Sequence, residues 1–522
     1  MKPHPLHIFR LASRGALRAA AVLAGMAYAA ATIGGNLSSS PLAVKGTVPP
    51  NVMLSLSVEF PTADSSAYID TATYSTTTEF LGYFDPNKCY TYSSTGDGTD
   101  LTILPNPPPE AVTGRFEPHS ITTTRTCTGV TAGGWSGNFL NWVSMASVDV
   151  FRYVMTGGLR SVDNTTETVL ERTRIDTQAG TGNFPDKTLS GDTLIAGATP
   201  LALAPAGGGY KFRSNDIGVT LRYTTVTSNF GVFTDVLIRV KVCDATIGLE
   251  ENCRSYGTSP VIYKPAGIIQ DNAERQKFGV FSYFAAEDTD NAVMRSKSKF
   301  TGPTKFTSSG YTANANTEWS ATTGIFNVNP DPSETSHTAY ANSGVINYIN
   351  KFGLFTQVTS RSATLSRYKV YDNVGRLYYE TLNYLRGRQP TVDSGTGHGT
   401  SFYSGATTSN SDAFPIITSW NDPIEYSCQK NFIIFVGDTN SSCDKRFPGS
   451  TFTSNGYEGC NNTQVWHGVT MRKDWMETSG ALIYGDTVNF KTYIDQVGTL
   501  EGRTLSTVSQ SSFWLTGAAY WA

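Results

Sequence analysis

The sequence predicts an α/β protein in which an open sheet is flanked by helices and interrupted by a β-rich insertion. Two short apolar runs, NVMLSLS at 51–57 and NFIIFVG at 431–437, predict strands. The second has the composition of a strand covered on both faces, as in parallel sheets. Helical spacing follows the first run and precedes the second, while alternating strand patterns fill the middle of the chain. This order predicts βα crossovers around an inserted β-rich part.

Residues 30–160 are expected to hold the first strand, a long loop region and the first helix of the α/β unit. The strand follows Pro49-Pro50, and the Thr-, Ser-, Tyr- and Pro-rich stretch up to Gly134 has the composition of loops. The stretch from Trp135 to Gly158 then predicts one helix, because apolar residues recur at three- and four-residue spacing and Gly157-Gly158 supplies a stop. Ser136 or Asn138 is expected to be the helix N-cap. Ser136 is not favoured as a nucleophile, since GWSGN has Asn138 in place of the last glycine of G-x-S-x-G.

Residues 161–340 are expected to form the β-rich insertion. DVLIRVKVC at 235–243 alternates apolar residues with Arg239 and Lys241, which predicts a strand with one buried and one wet face. VTLRYTTVT and KFGVFSYFA are further strand candidates among turn-rich linkers.

Residues 341–522 are expected to complete the α/β unit. GVINYINKFG and GRLYYETLNYLRG predict helices, the second with Leu377, Thr381, Tyr384 and Leu385 on one face and Gly387 as a C-cap. The strand NFIIFVG ends at Asp438, and helical patterns follow near 490–497 and 511–522. Because ligands of open α/β sheets collect at the carboxyl ends of strands, Asp438 is a candidate site residue.

The amino terminus and the composition predict an exported protein. Lys2, Arg10 and Arg14 precede an Ala-rich apolar run with a small-x-small site at Ala27-Tyr28-Ala29, so residues 1–29 are expected to be a cleaved signal peptide. The 40 basic and 43 acidic side chains give a net charge of −3, which does not favour a nucleic-acid partner.

Seven cysteines fit an oxidising compartment. Cys243 and Cys253 bound the turn-like segment CDATIGLEENC and are predicted to pair. The pairing of the other five stays open, and the odd count leaves at least one thiol unpaired within the chain. Metal ligation by cysteines is the less favoured alternative, because the sequence has no CxxC pair and no neighbouring histidine.

Several stretches, taken in order, resemble the PilC/PilY family of type IV pilus tip proteins. The resemblance runs from about residue 50 to the end of the chain. It is carried by YFDPNKCYTY (83–92), GGWSGNFLNW (133–142), TVLER (168–172), VCDATIGLEENC (242–253), KPAGIIQ (264–270), SGVINYINKFG (343–353), RLYYETLNYLRG (376–387) and DPIEYSCQKNFIIFVGDTN (422–440).

This resemblance implies a von Willebrand factor A-like domain with β-rich insertions, normally followed by a carboxy-terminal propeller. It implies a non-enzymatic factor in pilus assembly, surface adhesion and twitching motility, with minor pilins and a host or abiotic surface ligand as partners. The expected location is the cell surface, at the pilus tip or in the outer membrane. No propeller follows here, and the final strand or strands of the A-like sheet are expected to be missing. A fragment of a longer protein and a strand supplied by a partner both remain open.

The resemblance also implies a divalent-cation site at the first strand, although the motif is incomplete. Many members end that strand with D-x-S-x-S, whereas Ser57 stands at the first Asp position here. Asp438, Ser57 and Ser55 are the candidate ligands for Mg²⁺ or Ca²⁺, and Glu59 or Asp64 could replace the lost charge. The alternatives are that Asp438 only caps the loop after its strand, or that it serves a secreted metal-dependent hydrolase. An enzyme is not favoured, because no catalytic constellation is complete.

Overall fold

The computed structural model describes most of one compact unit, Pro49–Ala522. The signal-peptide prediction for residues 1–29 lies outside the described residues. The described ranges are 48–59, 62–94, 114–130, 133–175, 179–203, 208–215, 217–283, 292–334, 342–352, 374–390, 414–417, 419–437, 463–466, 469–472, 488–505 and 513–522.

Strands and helices are mixed along the chain. The strands are β1 Asn51–Leu56, β2 Lys88–Ser93, β3 Arg115–Ile121, β4 Trp135–Ser136, β5 Arg160–Asp163, β6 Thr168–Glu171, β7 Lys187–Ser190, β8 Gly209–Arg213, β9 Thr220–Thr225, β10 Thr234–Leu237, β11 Arg239–Val242, β12 Cys253–Tyr256, β13 Ile262–Pro265, β14 Lys277–Ser282, β15 Val293–Lys299, β16 Thr304–Thr307, β17 Gly310–Ala313, β18 Asn431–Val436, β19 Thr463–Trp466 and β20 Val469–Arg472. The helices are α1 Gly137–Ser144, α2 Ser147–Thr156, α3 Gly180–Asn183, α4 Asp192–Ala198, α5 Ile268–Asn272, α6 Val345–Lys351, α7 Val374–Leu385, α8 Phe490–Glu501 and α9 Trp514–Trp521.

A four-stranded sheet in the order β15-β14-β1-β18 forms the α/β part. β1 runs parallel to both β14 and β18, and β15 is antiparallel to β14. Helices cover both faces of β1: Val52 and Leu54 lie in one cluster with Ile349 of α6, whereas Met53 lies in another with Leu377 of α7. The predicted α/β class is therefore correct in its mixed, helix-flanked form.

β18 is less buried than the sequence predicts. Ile433 and Phe435 pack against the cluster that contains Met53, but Phe432 and Ile434 on the other face are 50% and 45% exposed. Among the described strands β18 is at the edge of its sheet, and this face of it is exposed. An apolar run alone therefore did not distinguish an edge strand from a central one.

Two further sheets make up the β-rich part. One has six strands in the order β4-β2-β3-β11-β6-β5, and the other has four in the order β10-β9-β8-β7. The predicted strand DVLIRVKVC is divided at Ile238 between them, as β10 and β11. Its alternation is confirmed, because Val236, Ile238, Val240 and Val242 are all buried.

The predicted range boundaries do not follow these sheets. β14 and β15 lie within 161–340, the range expected to form the insertion, yet they pair beside β1. β2 and β3 lie in the stretch before Gly134 that was expected to be loops, yet they belong to the six-stranded sheet. Thr and Tyr suit pleated strands, so a Thr- and Tyr-rich composition did not separate loop from strand here.

The single helix predicted from Trp135 to Gly158 is two helices. Met145 and Ala146 between them are extended, and Ala146 forms an isolated bridge with Ser66. The buried Asp149 carboxylate accepts hydrogen bonds from the Ala146 and Thr173 amides, which holds the start of α2. Helical periodicity runs through this break, so only tertiary contacts reveal it.

The predicted caps are present: the Ser136 side chain accepts from the Phe139 amide, and Gly157 ends α2 with a φ of 85°.

The side chains of Asn138 and Asn141 fix the long loop that precedes β2. Asn138 accepts from the Phe80 amide and donates to the Thr78 carbonyl, at 2.8 and 2.9 Å. Asn141 donates to the carbonyls of Phe80 and Phe84, both at 2.7 Å. Because both amides are fully buried, these bonds replace the water that the loop backbone would otherwise need.

Lys187 on β7 is a buried cation whose neighbours are carbonyls and rings. Its ammonium donates to the carbonyls of Tyr68 and Trp142, at 2.9 and 2.8 Å, and lies 4.5 Å from the centroid of the Trp142 ring. Burial lowers the pKa of Lys187 to about 7 from its ordinary value of 10.5.

This lowered pKa predicts that stability rises with pH between about 7 and 10.5. In that interval the unfolded chain holds the Lys187 proton and the folded chain does not, so raising the pH favours folding and lowering it costs stability. The free energy of unfolding is expected to rise by about 1–2 kcal/mol from pH 7.5 to 9 through this group. Urea denaturation of Lys187→Met should lack this rise. The exposed control Lys491→Met should retain it, and equal slopes for both variants would contradict the assignment.

Among the described residues, no helix is both long enough and apolar enough to cross a membrane.

Candidate functional site at the ends of two parallel strands

The carboxyl ends of β1 and β18 form the crevice of the open sheet. Taken in chain order, the strands β1, β14, β15 and β18 are arranged 3-2-1-4, the first part of the doubly wound order. In that order β14 is added on one side of β1 and the chain later returns to add β18 on the other side, and ligands of open α/β sheets bind at such a switch point. Of the site residues predicted from the sequence, Ser57 and Asp438 follow these two strand ends, and Ser55 lies within β1.

The two strand ends lie in direct contact. The Ser57 amide donates to the Val436 carbonyl at 2.8 Å. A Cβ atom on Gly437 would lie 2.9 Å from the Ser57 Cβ, closer than side-chain atoms pack. Gly437 therefore permits the approach, and the position of Ser57 is set beside the end of β18.

A buried polar cluster surrounds the Ser57 hydroxyl. Its Oγ lies 3.4 Å from Glu59 Oε1 and 3.3 Å from the hydroxyl of Tyr283. Tyr283 is the residue directly after β14. All three side chains are at most 4% exposed. Tyr283 was not identified from the sequence, because its role depends on β14 pairing with β1, which no local pattern indicates.

Ser55 lies deeper, between β1 and α7. Its fully buried hydroxyl lies 3.2 Å from the Thr381 hydroxyl of α7. Thr381 was predicted to face inward on its helix, and the structure places it against β1. Ser55 therefore contributes to helix packing. Asp64, which is 2% exposed, follows Ala63, whose amide donates to the Glu59 carbonyl at 2.9 Å.

The described residues supply only part of a cation site. Ser57 Oγ and Glu59 Oε1 are hard oxygen donors of the type that Mg²⁺ and Ca²⁺ take, but such ions take six or more oxygens. Asp438 directly follows the described Gly437 and itself lies outside the described residues. The assignment of Asp438, Ser57 and Ser55 as ligands therefore stays a prediction.

Restoring an acid at position 57 should produce a cation-dependent increase in stability. Ser57→Asp would place a second carboxylate beside Glu59, and the repulsion between them favours a bound divalent cation. At a hundred times Kd the cation should add about 2.7 kcal/mol to the free energy of unfolding. Thermal unfolding of the variant in Mg²⁺ or Ca²⁺ and in chelator measures this gain against the parent. If the stability of Ser57→Asp depends no more on the cation than the stability of Ser57→Ala does, the proposed cation geometry is contradicted.

Two disulfides join the described cysteines. Cys243 and Cys253 pair as the sequence predicts, with 5.8 Å between their Cα atoms. Cys89 and Cys127 also pair, joining β2 to the loop before α1. The two cysteines of this second pair are 38 positions apart in the chain, so no local turn indicated their pairing. Cys428 is free and exposed, and Cys443 and Cys460 lie outside the described residues.

The fold defines a mixed α/β protein with a helix-flanked, mostly parallel sheet and a β-rich part that carries two disulfides. Two models of one family match this chain: the PilY1 homolog small alpha/beta domain at residues 71–202 and the PilY1 homolog second domain at residues 309–489. Together they cover more than half of the chain. The chain belongs to the PilC/PilY family of PilY1 homologs.

Relatives of known name agree with this membership. The Type IV pilus biogenesis factor PilY1 homolog of Xylella fastidiosa (strain Temecula1 / ATCC 700964) is 35% identical over 469 residues, which are 83% of this chain and 35% of that protein. A second protein of the same name and organism is 25% identical over 260 residues, 42% of this chain and 16% of that protein. The chain thus spans about a third or less of the length of these relatives. No solved structure matches it.

Proposed function

We propose that this chain acts in type IV pilus biogenesis as a non-enzymatic, exported binding protein at the pilus tip. The observation that carries the proposal is the 35% identity, over 83% of the chain, to a protein named as a type IV pilus biogenesis factor. The two family models support it independently of that relative. Minor pilins and a surface ligand are the proposed partners, and adhesion and twitching motility are the proposed activities.

The α/β part is proposed to be a von Willebrand factor A-like domain. The order β15-β14-β1-β18, with one antiparallel edge strand beside parallel strands, supports this proposal. Helices on both faces of β1 also fit it. In this proposal a partner or cation approaches the carboxyl ends of β1 and β18, at Ser57 and Gly437.

Binding rather than catalysis is proposed because, among the described residues, the Ser57 hydroxyl has no histidine or lysine beside it as a general base. The hydroxyl of Ser57 lies against a carboxylate and a phenol. No histidine or lysine is among its hydrogen-bond partners in the described part of the chain. A hydroxyl is activated by an adjacent base that is itself oriented by a third group, and that arrangement is not formed by these three residues.

Deletion of the gene in the organism that encodes it tests the proposal. We expect fewer surface pili by electron microscopy, smaller twitching zones and weaker surface attachment, all restored by the wild-type gene. Complementation with Ser57→Ala separates the crevice from the fold: loss of attachment with normal pilus numbers would assign the crevice to adhesion. Unchanged pilus number, motility and attachment in the deletion strain would overturn the proposed function.

A further inference from the structure

The loop between β11 and β12 encloses a carboxylate beside its disulfide. Cys243 and Cys253 close the loop, and Glu250 lies inside it, 8% exposed. Glu250 Oε2 accepts a hydrogen bond from the Cys243 amide at 2.7 Å and lies 3.3 Å from Cys253 Sγ. The two sulfurs and one carboxylate oxygen all lie within 4.8 Å of one another.

The position of Glu250 is fixed by a second residue from another strand. Lys88 at the start of β2 places its ammonium 2.6 Å from Glu250 Oε1 and 2.5 Å from the Gly248 carbonyl. Lys88 is 2% exposed, so this ion pair is buried. Partners of this kind orient a ligand carboxylate and strengthen a metal site.

We propose that the dithiol form of this loop is a zinc site formed by Cys243, Cys253 and Glu250. Ligand atoms around a tetrahedral zinc lie roughly 3.5–3.8 Å apart, given Zn–S distances of about 2.3 Å and Zn–O distances of about 2.0–2.2 Å. The Glu250 oxygen already lies 3.3 Å from Cys253 Sγ. Once the sulfur–sulfur bond is broken, the two sulfurs have to separate, and the Cα distance of 5.8 Å leaves room for that.

The charges and atoms of the change balance. An external dithiol reduces the loop disulfide: its own two sulfurs become a disulfide, and its two hydrogens pass to Cys243 and Cys253. Zinc then displaces both thiol protons. Two thiolates, the Glu250 carboxylate, Zn²⁺ and the Lys88 ammonium sum to zero, so the buried group stays neutral, as the Lys88–Glu250 pair is in the disulfide form. Water reaches the fourth position, because Cys253 is partly exposed.

The second disulfide supplies a matched control. Cys89 and Cys127 have the same bond, but in the described part of the chain no third ligand lies with them. Spacing alone did not reveal the site, since nine residues separate the two cysteines of the loop. Only folding places Glu250 against the sulfurs.

The test is zinc binding by the reduced protein. Wild type, Cys243→Ser/Cys253→Ser, Cys89→Ser/Cys127→Ser and Glu250→Gln are reduced with a dithiol, desalted under inert gas and titrated with zinc chloride. Cobalt chloride provides a second readout, because thiolate-to-cobalt absorption reports sulfur ligation. All other thiols are common to wild type and Cys243→Ser/Cys253→Ser. The difference between the two proteins in zinc bound per chain therefore measures zinc at the loop site.

Wild type and Cys89→Ser/Cys127→Ser should each bind one more zinc per chain than Cys243→Ser/Cys253→Ser, with thiolate-to-cobalt absorption to match. Glu250→Gln, which retains both thiols, should raise the Kd of that zinc at least about tenfold. Equal zinc binding by reduced wild type and Cys243→Ser/Cys253→Ser would overturn the proposal. An unchanged Kd for zinc in Glu250→Gln would show that Glu250 is not a zinc ligand.

Discussion

Replacing Arg172 by alanine is expected to lower the free energy of unfolding by about 3–5 kcal/mol, which is enough to prevent stable folding. Arg172 follows β6 and is fully buried. Its guanidinium donates to the carbonyls of Ser144 at the end of α1 and of Ser214, Gly218 and Thr220 around the start of β9. Burial lowers its pKa to about 10, so the side chain is still charged at neutral pH.

The size of this effect follows from what the substitution leaves behind. Alanine would remove four hydrogen bonds and a large buried volume at once, and each carbonyl left without a partner away from water carries its own penalty. The solvent-exposed Arg254, which pairs with Asp271, is the control, and Arg254→Ala should change stability by less than about 1 kcal/mol. Urea denaturation and soluble yield measure both variants. Similar stabilities for Arg172→Ala and Arg254→Ala would contradict the role given to Arg172.

The second large effect is expected for Gly157→Ala at the end of α2. Gly157 has a φ of 85°, a conformation that costs a residue with a side chain about 1 kcal/mol. A Cβ atom there would also lie 2.5 Å from the Pro265 carbonyl carbon and 2.7 Å from the Ala266 amide nitrogen. Because these are backbone atoms, the packing of β13 against α2 would have to shift, and we expect a total loss of about 3 kcal/mol or more.

Gly502 separates the two causes. It ends α8 in the same left-handed conformation, with a φ of 66°, but no atom lies within 4 Å of where its Cβ would be. Gly502→Ala should therefore cost only the conformational part, about 1 kcal/mol. Chemical denaturation gives the difference between the two variants. If they lose equal stability, the close approach of Pro265 has no energetic consequence.

The sequence predicted those elements whose signals are local. The helix face with Leu377 and Thr381 is buried on β1 and its neighbours, and Gly387 has the positive φ expected of a C-cap. The pairing of Cys243 with Cys253 needed only a turn between them. In each case, residues within a few turns of one another carry the information.

The sequence did not reveal features that depend on distant residues. The break at Met145 and Ala146 depends on Asp149 meeting Thr173 and on Ala146 meeting Ser66. β14 pairs with β1, although the two strands are more than two hundred residues apart in the chain, and β15 then pairs with β14. At the crevice, Ser57 was identified from the family motif, whereas Tyr283 became visible only once the sheet was assembled.

The exposed face of β18 has a consequence for binding. Phe432 and Ile434 lie on the edge strand that also bounds the crevice. An apolar edge strand favours pairing with another strand. A partner that binds at the Ser57 crevice would lie next to the exposed side chains of Phe432 and Ile434.

The most direct test of the proposed role at the pilus is to locate the protein on sheared pili. Pili are sheared from wild-type cells and from the deletion strain, purified and labelled with an antibody raised against residues 49–522. The proposal predicts that the protein copurifies with pili and that gold particles lie at filament ends in the wild type alone. Protein absent from the pili of a normally piliated strain, or gold spread along the filaments, would contradict the tip assignment.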